Sequence, residues 1–167
     1  MTPSPSWTEH GARAAVFAVL IGCGSLLAAL YFQYVAGYQP CKLCLLQRWP
    51  YYLGLPIGLV SLALYAFGHT RVATGLMALF ILAFLIGAGL GAYHAGVEWK
   101  LWAGPTDCAG ALTAGPASVE DFRKSLATTR IIRCDEAPLR ILGLSFAGWN
   151  AIVSLVIAGL ASRVFAR

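Results

Sequence analysis

Two cysteines and an arginine lie close together in Gln39-Pro40-Cys41-Lys42-Leu43-Cys44-Leu45-Leu46-Gln47-Arg48-Trp49-Pro50, between two long apolar segments. If the chain after Pro40 is helical, Cys41 and Cys44 are i, i+3 neighbours and Arg48 follows one turn after Cys44. The free N–H groups of a helix start and a nearby guanidinium both favour thiolate over thiol, and Lys42 adds a second cation. A purely structural disulfide gains little from a CxxC spacing, because so small a ring barely restricts the unfolded chain. Residues 39–48 therefore outline a redox motif.

The elements that must position this motif are apolar. Across 167 residues the chain is 59% hydrophobic and 11% charged, with a mean hydropathy of +0.71, too few polar residues to cover a water-facing surface. Four windows lack any Asp, Glu, Lys, Arg or His: 14–36, 49–68, 72–93 and 141–162. Each spans roughly 30 Å as a helix, enough to cross a bilayer. The prediction is a single all-α membrane domain over 1–167, a bundle of four transmembrane helices at about 14–36, 45–68, 72–94 and 141–163. The first apolar run is longer than the core of a signal peptide, so it is kept as a span.

Arg13, Arg71, Arg163 and Arg167 fall on one side of these spans, which the positive-inside rule makes cytoplasmic, with both termini there. The opposite side carries the redox motif and a loop from about 97 to 140, in which six Lys/Arg balance six Asp/Glu. The formal charge of +5 is thus mostly topology plus the motif, and does not point to nucleic acid. Residues 1–12 are expected to form a short flexible tail. Pro50 and Pro56 predict a kink or a reset of the second span, so that the CxxC turn and the spanning part are separate pieces. Within the loop, Ser118-Val119-Glu120-Asp121 resembles a capping box opening a short amphipathic helix at the membrane surface.

Cys23 sits mid-membrane and reads as a small buried hydrophobe, leaving Cys41, Cys44, Cys108 and Cys134 on the outer side. In an oxidising compartment four outer thiols are expected to pair, and of three pairings the spacing favours Cys41 with Cys44 and Cys108 with Cys134. The alternative is a metal held by the four thiolates, although a second pair 26 positions apart without a second CxxC makes a poor zinc knuckle. Two dithiols at different depths form a relay whose inner pair must hand two electrons to something small, oxidising and membrane-soluble. An isoprenoid quinone fits. Arg48 could stabilise both a thiolate and negative charge on a quinone oxygen, or else reach the lipid headgroups. His94, the only histidine on that side, could hydrogen-bond such a ligand or mark the water interface. Most of the outer tyrosines and tryptophans suit an interfacial aromatic belt.

Taken together, Pro40-Cys-x-x-Cys44-x-x-x-Arg48 after a first span, Tyr93-His94 ending a third, the loop with Cys108 and Cys134, and a fourth span entered through Leu142-Gly143-Leu144 closely resemble the disulfide bond formation protein B family (DsbB). The resemblance covers nearly the whole chain. It implies an inner-membrane four-helix bundle that reoxidises a periplasmic thioredoxin-like dithiol oxidase (DsbA) and reduces ubiquinone or menaquinone. In that reading Cys108 forms the mixed disulfide with the partner, Cys134 resolves it and exchanges with Cys41, and Cys44 is the thiolate facing the quinone. Arg48 is the quinone-side cation and His94 a member of its pocket. The position of Gln47 is acidic in some relatives. A DsbA-type oxidase at about −120 mV is itself a strong oxidant, so the sink must be stronger than ordinary disulfides. Two other readings remain at this point: a reductase of the vitamin K epoxide reductase type, in which the CxxC is expected late in the chain, and a membrane scaffold with structural disulfides.

Overall fold

The computed structural model describes residues 7–105, 134–137 and 139–166. Cys108 and the helix expected from Ser118 lie outside the described residues.

Thr8 starts the first helix. Its hydroxyl accepts the Gly11 N–H at 3.0 Å and Glu9 follows in the first turn, satisfying free donors at the positive end of the helix. This helix, α1, runs Glu9–Tyr34 and so begins five residues before the first apolar window. Residues 9–12 of the expected flexible tail are therefore helical. Trp7 is buried, stacks on Tyr65 at 4.4 Å and donates its indole N–H to Thr74 Oγ1 at 2.9 Å, binding the segment before α1 to the helices that follow. The sequence hid this contact because its partners lie more than fifty positions away.

The second apolar window is reached through a break. Helix α2 covers Lys42–Leu46 and α3 covers Trp49–Ala66, with Gln47 closing the first and Arg48 opening the second. Pro50 lies in the first turn of α3, where its missing N–H costs nothing. The chain then turns through Gly68 at φ 82°, with the His69 N–H bonded to the Leu64 carbonyl at 2.9 Å, a glycine-dependent helix stop. Helix α4 follows over Thr70–Glu98. Before the last span the chain forms a small antiparallel hairpin, β1 (Arg140–Ile141) and β2 (Leu144–Ser145), whose two turn residues Leu142 and Gly143 both have positive φ. The hairpin delays the start of the last helix, α5 (Phe146–Ala161), which ends in a 3₁₀ turn over Ser162–Phe165. Ser145 caps α5 through the Gly148 N–H at 3.2 Å.

Among the described residues, four helices or helix pairs are long and apolar enough to cross a membrane: Glu9–Tyr34, Lys42–Ala66, Thr70–Glu98 and Phe146–Phe165. Helix α4 packs against both α3 and α5, and α1 packs against α3, α5 and the final turn. Phe80, Phe84, Met77 and Ile157 are fully buried at the centre, while Leu20, Leu59, Leu82 and Ile86 point outward. Outward leucines suit lipid, which is as apolar as they are, so helix association must rest on close packing instead. Glycines supply it. A Cβ at Gly58 would lie 2.7 Å from the Phe80 ring, and one at Gly91 would lie 2.8 Å from the backbone nitrogen of Ala151.

Candidate active site

The short helix α2 owes its start to sulfur. Cys41 is its N-cap, and its Sγ accepts the backbone N–H of Cys44 at 3.1 Å, a role more often filled by a side-chain oxygen. The same turn brings the two sulfurs to 2.6 Å from each other. That is nearer to the ~2.05 Å of a disulfide than to the ~3.7 Å between two thiolates on a tetrahedral zinc. The Cys41 thiol is held below the ordinary thiol range, mainly because the Cys44 thiol shares its hydrogen with it; burial opposes the shift, and the His94 ring and the Cys44 N–H reinforce it. Cys41 should therefore ionise at a pH below that of an ordinary thiol. A pH titration of thiolate ultraviolet absorbance in the reduced protein checks this, and a single step at the ordinary value would contradict it.

The two sulfurs face different surroundings. Cys41 is buried in a cluster with Leu43, Val97 and Cys134. Cys134 is itself disulfide-bonded. The loop segment bearing Cys134 is held near the end of α4 by an ion pair between Lys100 and Asp135 at 2.7 Å. Cys44, in contrast, lies on the wall of a cavity of about 270 Å³ between α1, α3 and α5. Arg48 is on the same wall, one turn further on, and Phe32, Tyr38, Phe146 and Trp149 supply aromatic surface. The Arg48 guanidinium donates to Gln33 Oε1 and, at 3.5 Å, to the Ala29 carbonyl, and no carboxylate pairs with it among the described residues.

His94 is brought to the motif but does not line the cavity. Its Nε2 lies 3.7 Å from Cys41 Sγ and 3.8 Å from Glu98 Oε1, and it is not among the cavity-lining residues. The ligating atoms of Cys41, Cys44 and His94 all lie within 4.8 Å of one another. A chain of hydrogen bonds leads from His94 back to the cavity. Gln47 Nε2 is 2.6 Å from His94 Nδ1, Asn150 Nδ2 donates to Gln47 Oε1 at 2.8 Å, and the Tyr51 hydroxyl donates to Asn150 Oδ1 at 2.7 Å. Gln47, Tyr51 and Asn150 all line the cavity.

The sequence reasoning did not assign Glu98, Asn150, Tyr51 or Gln33 to the site. Two signals were available: Glu98 stands one helical turn after His94, and Asn150 is the single carboxamide in the fourth apolar window.

Residues 11–163 match the family described as disulfide bond formation protein DsbB. The chain belongs to the DsbB family. It is 33% identical over 153 residues to disulfide bond formation protein B of Marinobacter nauticus, covering 85% of this chain and 86% of that one. The corresponding protein of Saccharophagus degradans is 35% identical over 155 residues (86% and 88%), and that of Xylella fastidiosa 32% over 157 (89% and 87%). No solved structure matches this chain. Membership of the DsbB family together with four apolar helices makes the chain a multi-pass inner-membrane protein and a disulfide-forming oxidoreductase.

Proposed function

We propose that this DsbB family member reoxidises a periplasmic DsbA-like thioredoxin-fold oxidase and passes the two electrons to a membrane quinone, ubiquinone or menaquinone. The observation that carries the reading is the division of the CxxC pair. Cys41 lies with Cys134 and Cys44 lies on the cavity wall beside Arg48, so one pair of sulfurs joins a loop disulfide to an apolar cleft.

In this reading the redox motif and the loop face the periplasm, and Cys108 and Cys134 take the partner's electrons. Cys134 as thiolate then attacks Cys41 of the Cys41–Cys44 disulfide, and Cys44 leaves. Exchange of this kind favours a leaving sulfur whose negative charge is stabilised, and Arg48, on the same cavity wall as Cys44, is the cation available for that. Attack by Cys108 on Cys134 next releases Cys41, whose thiolate is held by the Cys44 N–H and the His94 ring. Two electrons and the matching protons now reside on the Cys41–Cys44 pair.

The cavity suits a flat, apolar ring with polar atoms on its rim: aromatic side chains form its walls, and Arg48, Gln47 and Asn150 are the polar groups among them. A bound quinone would supply a two-electron, two-proton sink for the Cys41–Cys44 pair. Cys44 would be the sulfur on its side of the pair, and Arg48 would supply a fixed positive charge where negative charge develops. His94 acts from behind Cys41 in this scheme, through sulfur instead of through the ring.

The decisive experiment supplies purified protein with quinone and a reduced periplasmic dithiol oxidase. The dithiol should be oxidised with stoichiometric loss of quinone, and a folded protein that leaves both unchanged would overturn the reading. Replacing the guanidinium by an apolar chain of similar reach, Arg48→Met, should raise the KM for quinone about tenfold or more, since a charge-assisted contact is worth roughly 1.5–3 kcal/mol. The KM for the protein substrate should stay unchanged. An equal rise in both would instead mark a general loss of structure.

A further inference from the structure

Glu98 is a buried carboxylate with an incomplete set of partners. Its side chain is 3% exposed, Oε1 lies 3.8 Å from His94 Nε2, and Oε2 has no hydrogen-bond partner. A buried charge with an unsatisfied oxygen is costly, and its nearest compensation is a cation. The imidazole of His94 is the group placed to become one. Its Nε2 faces both Cys41 Sγ, at 3.7 Å, and Glu98 Oε1. The groups that titrate around this ring, among the described residues, are Cys41 and Cys44 from α2 and Glu98 from its own helix; the Cys134 backbone also hydrogen-bonds the ring, and the Cys134 sulfur is oxidised.

From this arrangement we infer that Glu98 is a positioning residue for the redox pair: its carboxylate is the counter-charge that lets His94 hold the proton of Cys41. The step moves one proton and no electrons. The Cys41 S–H gives its proton to His94 Nε2, leaving a Cys41 thiolate and an imidazolium between two negative groups. For Nε2 to accept, Nδ1 must carry the other ring proton and donate it. Gln47 permits this, because half-turns of the Gln47 and Asn150 amides exchange donor for acceptor along the chain and present Gln47 Oε1 to Nδ1–H. A neutral amide at 47 serves either state of the ring but brings no charge of its own, which leaves the charge to Glu98. The inference rests on the reading that Cys41 exchanges disulfides, yet it concerns the protein alone and needs neither quinone nor partner.

The test therefore uses the full chain with neither added. In a Cys23→Ser/Cys44→Ser background with the loop cysteines oxidised, Cys41 is followed by its thiolate ultraviolet absorbance against pH. Glu98→Gln, which keeps shape and removes charge, should move the Cys41 midpoint upward by about one pH unit, a tenfold smaller thiolate fraction below it. The carboxylate also repels the thiolate, so in a His94→Ala background the same change should produce no upward movement. A Glu98→Gln curve that overlays its parent, or an equal upward shift without His94, would overturn the inference. If Glu98→Gln does not fold, ring nitrogen-15 shifts of His94 in the reduced wild-type chain decide. Both nitrogens protonated while Cys41 is ionised supports the assignment, and a neutral ring under those conditions refutes it.

Discussion

Cys44→Ser is expected to abolish quinone-dependent oxidation of the dithiol partner, by about a thousandfold or more, because no other sulfur of the motif reaches the cavity wall. Serine can replace the shape of the thiol but neither closes a disulfide with Cys41 nor leaves from one. The protein should still fold, since Cys44 contributes its backbone N–H to the Cys41 cap and its side chain is only partly buried. A further readout is optical. A Cys44 thiolate stacked against quinone should add a visible charge-transfer absorption that Cys44→Ser lacks. Retention of appreciable quinone reduction by Cys44→Ser would mean that electrons leave from another sulfur.

The second large effect is structural. Gly91→Ala places a Cβ within 2.8 to 3.0 Å of Ala151 N, Ala147 O and Ala151 Cα, all backbone of α5, where no rotamer change can relieve the contact. The expected cost is about 1–3 kcal/mol, with Gly91→Leu preventing the normal α4–α5 contact altogether. Because Asn150 rides on α5 and reaches Gln47, pushing the helices apart should also weaken the polar chain behind the cavity. Gly89 is the internal control. A Cβ there meets nothing within 4 Å, so Gly89→Ala should be neutral or slightly stabilising through its gain in helix propensity. Thermal unfolding in detergent, followed by helical circular dichroism, separates the two. Equal behaviour of both variants would show that the close approach at Gly91 is not what holds α4 to α5.

The parts of the fold that were legible in the sequence are those encoded locally. Four uncharged windows predicted four membrane-spanning helices, and the prolines at 50 and 56 anticipated that the CxxC turn and the spanning helix would be distinct, as α2 and α3 are. Cys41, Cys44 and Arg48 could be read as one group because they lie within eight residues, where helical spacing alone sets their neighbours. His94 was legible as a residue at the right depth, but depth does not say which side of the sulfurs it takes. The polar chain was not legible. Its links join positions 47 and 94, and 47 and 150, and such contacts follow from how α4 and α5 pack, which apolar periodicity leaves open. Trp7 escaped for the same reason. A single tryptophan beyond the end of a span carries no local signal that it will stack on Tyr65. Glu98 fell on the boundary between window and loop, where one more acid reads as solvated.

The helix break at Gln47 and Arg48 gives the CxxC turn the character of a partition. Cys41, 2% exposed, closes it on the loop side, and Cys44 forms part of the cleft wall on the other, so the two sulfurs span its thickness. In the proposed relay, electron pairs cross by exchanging which sulfur is bonded to which, while the buried Cys41 sulfur is shielded from small thiols in solution. Selectivity for the electron donor is on this view a property of insulation, set by a two-residue interruption between helices.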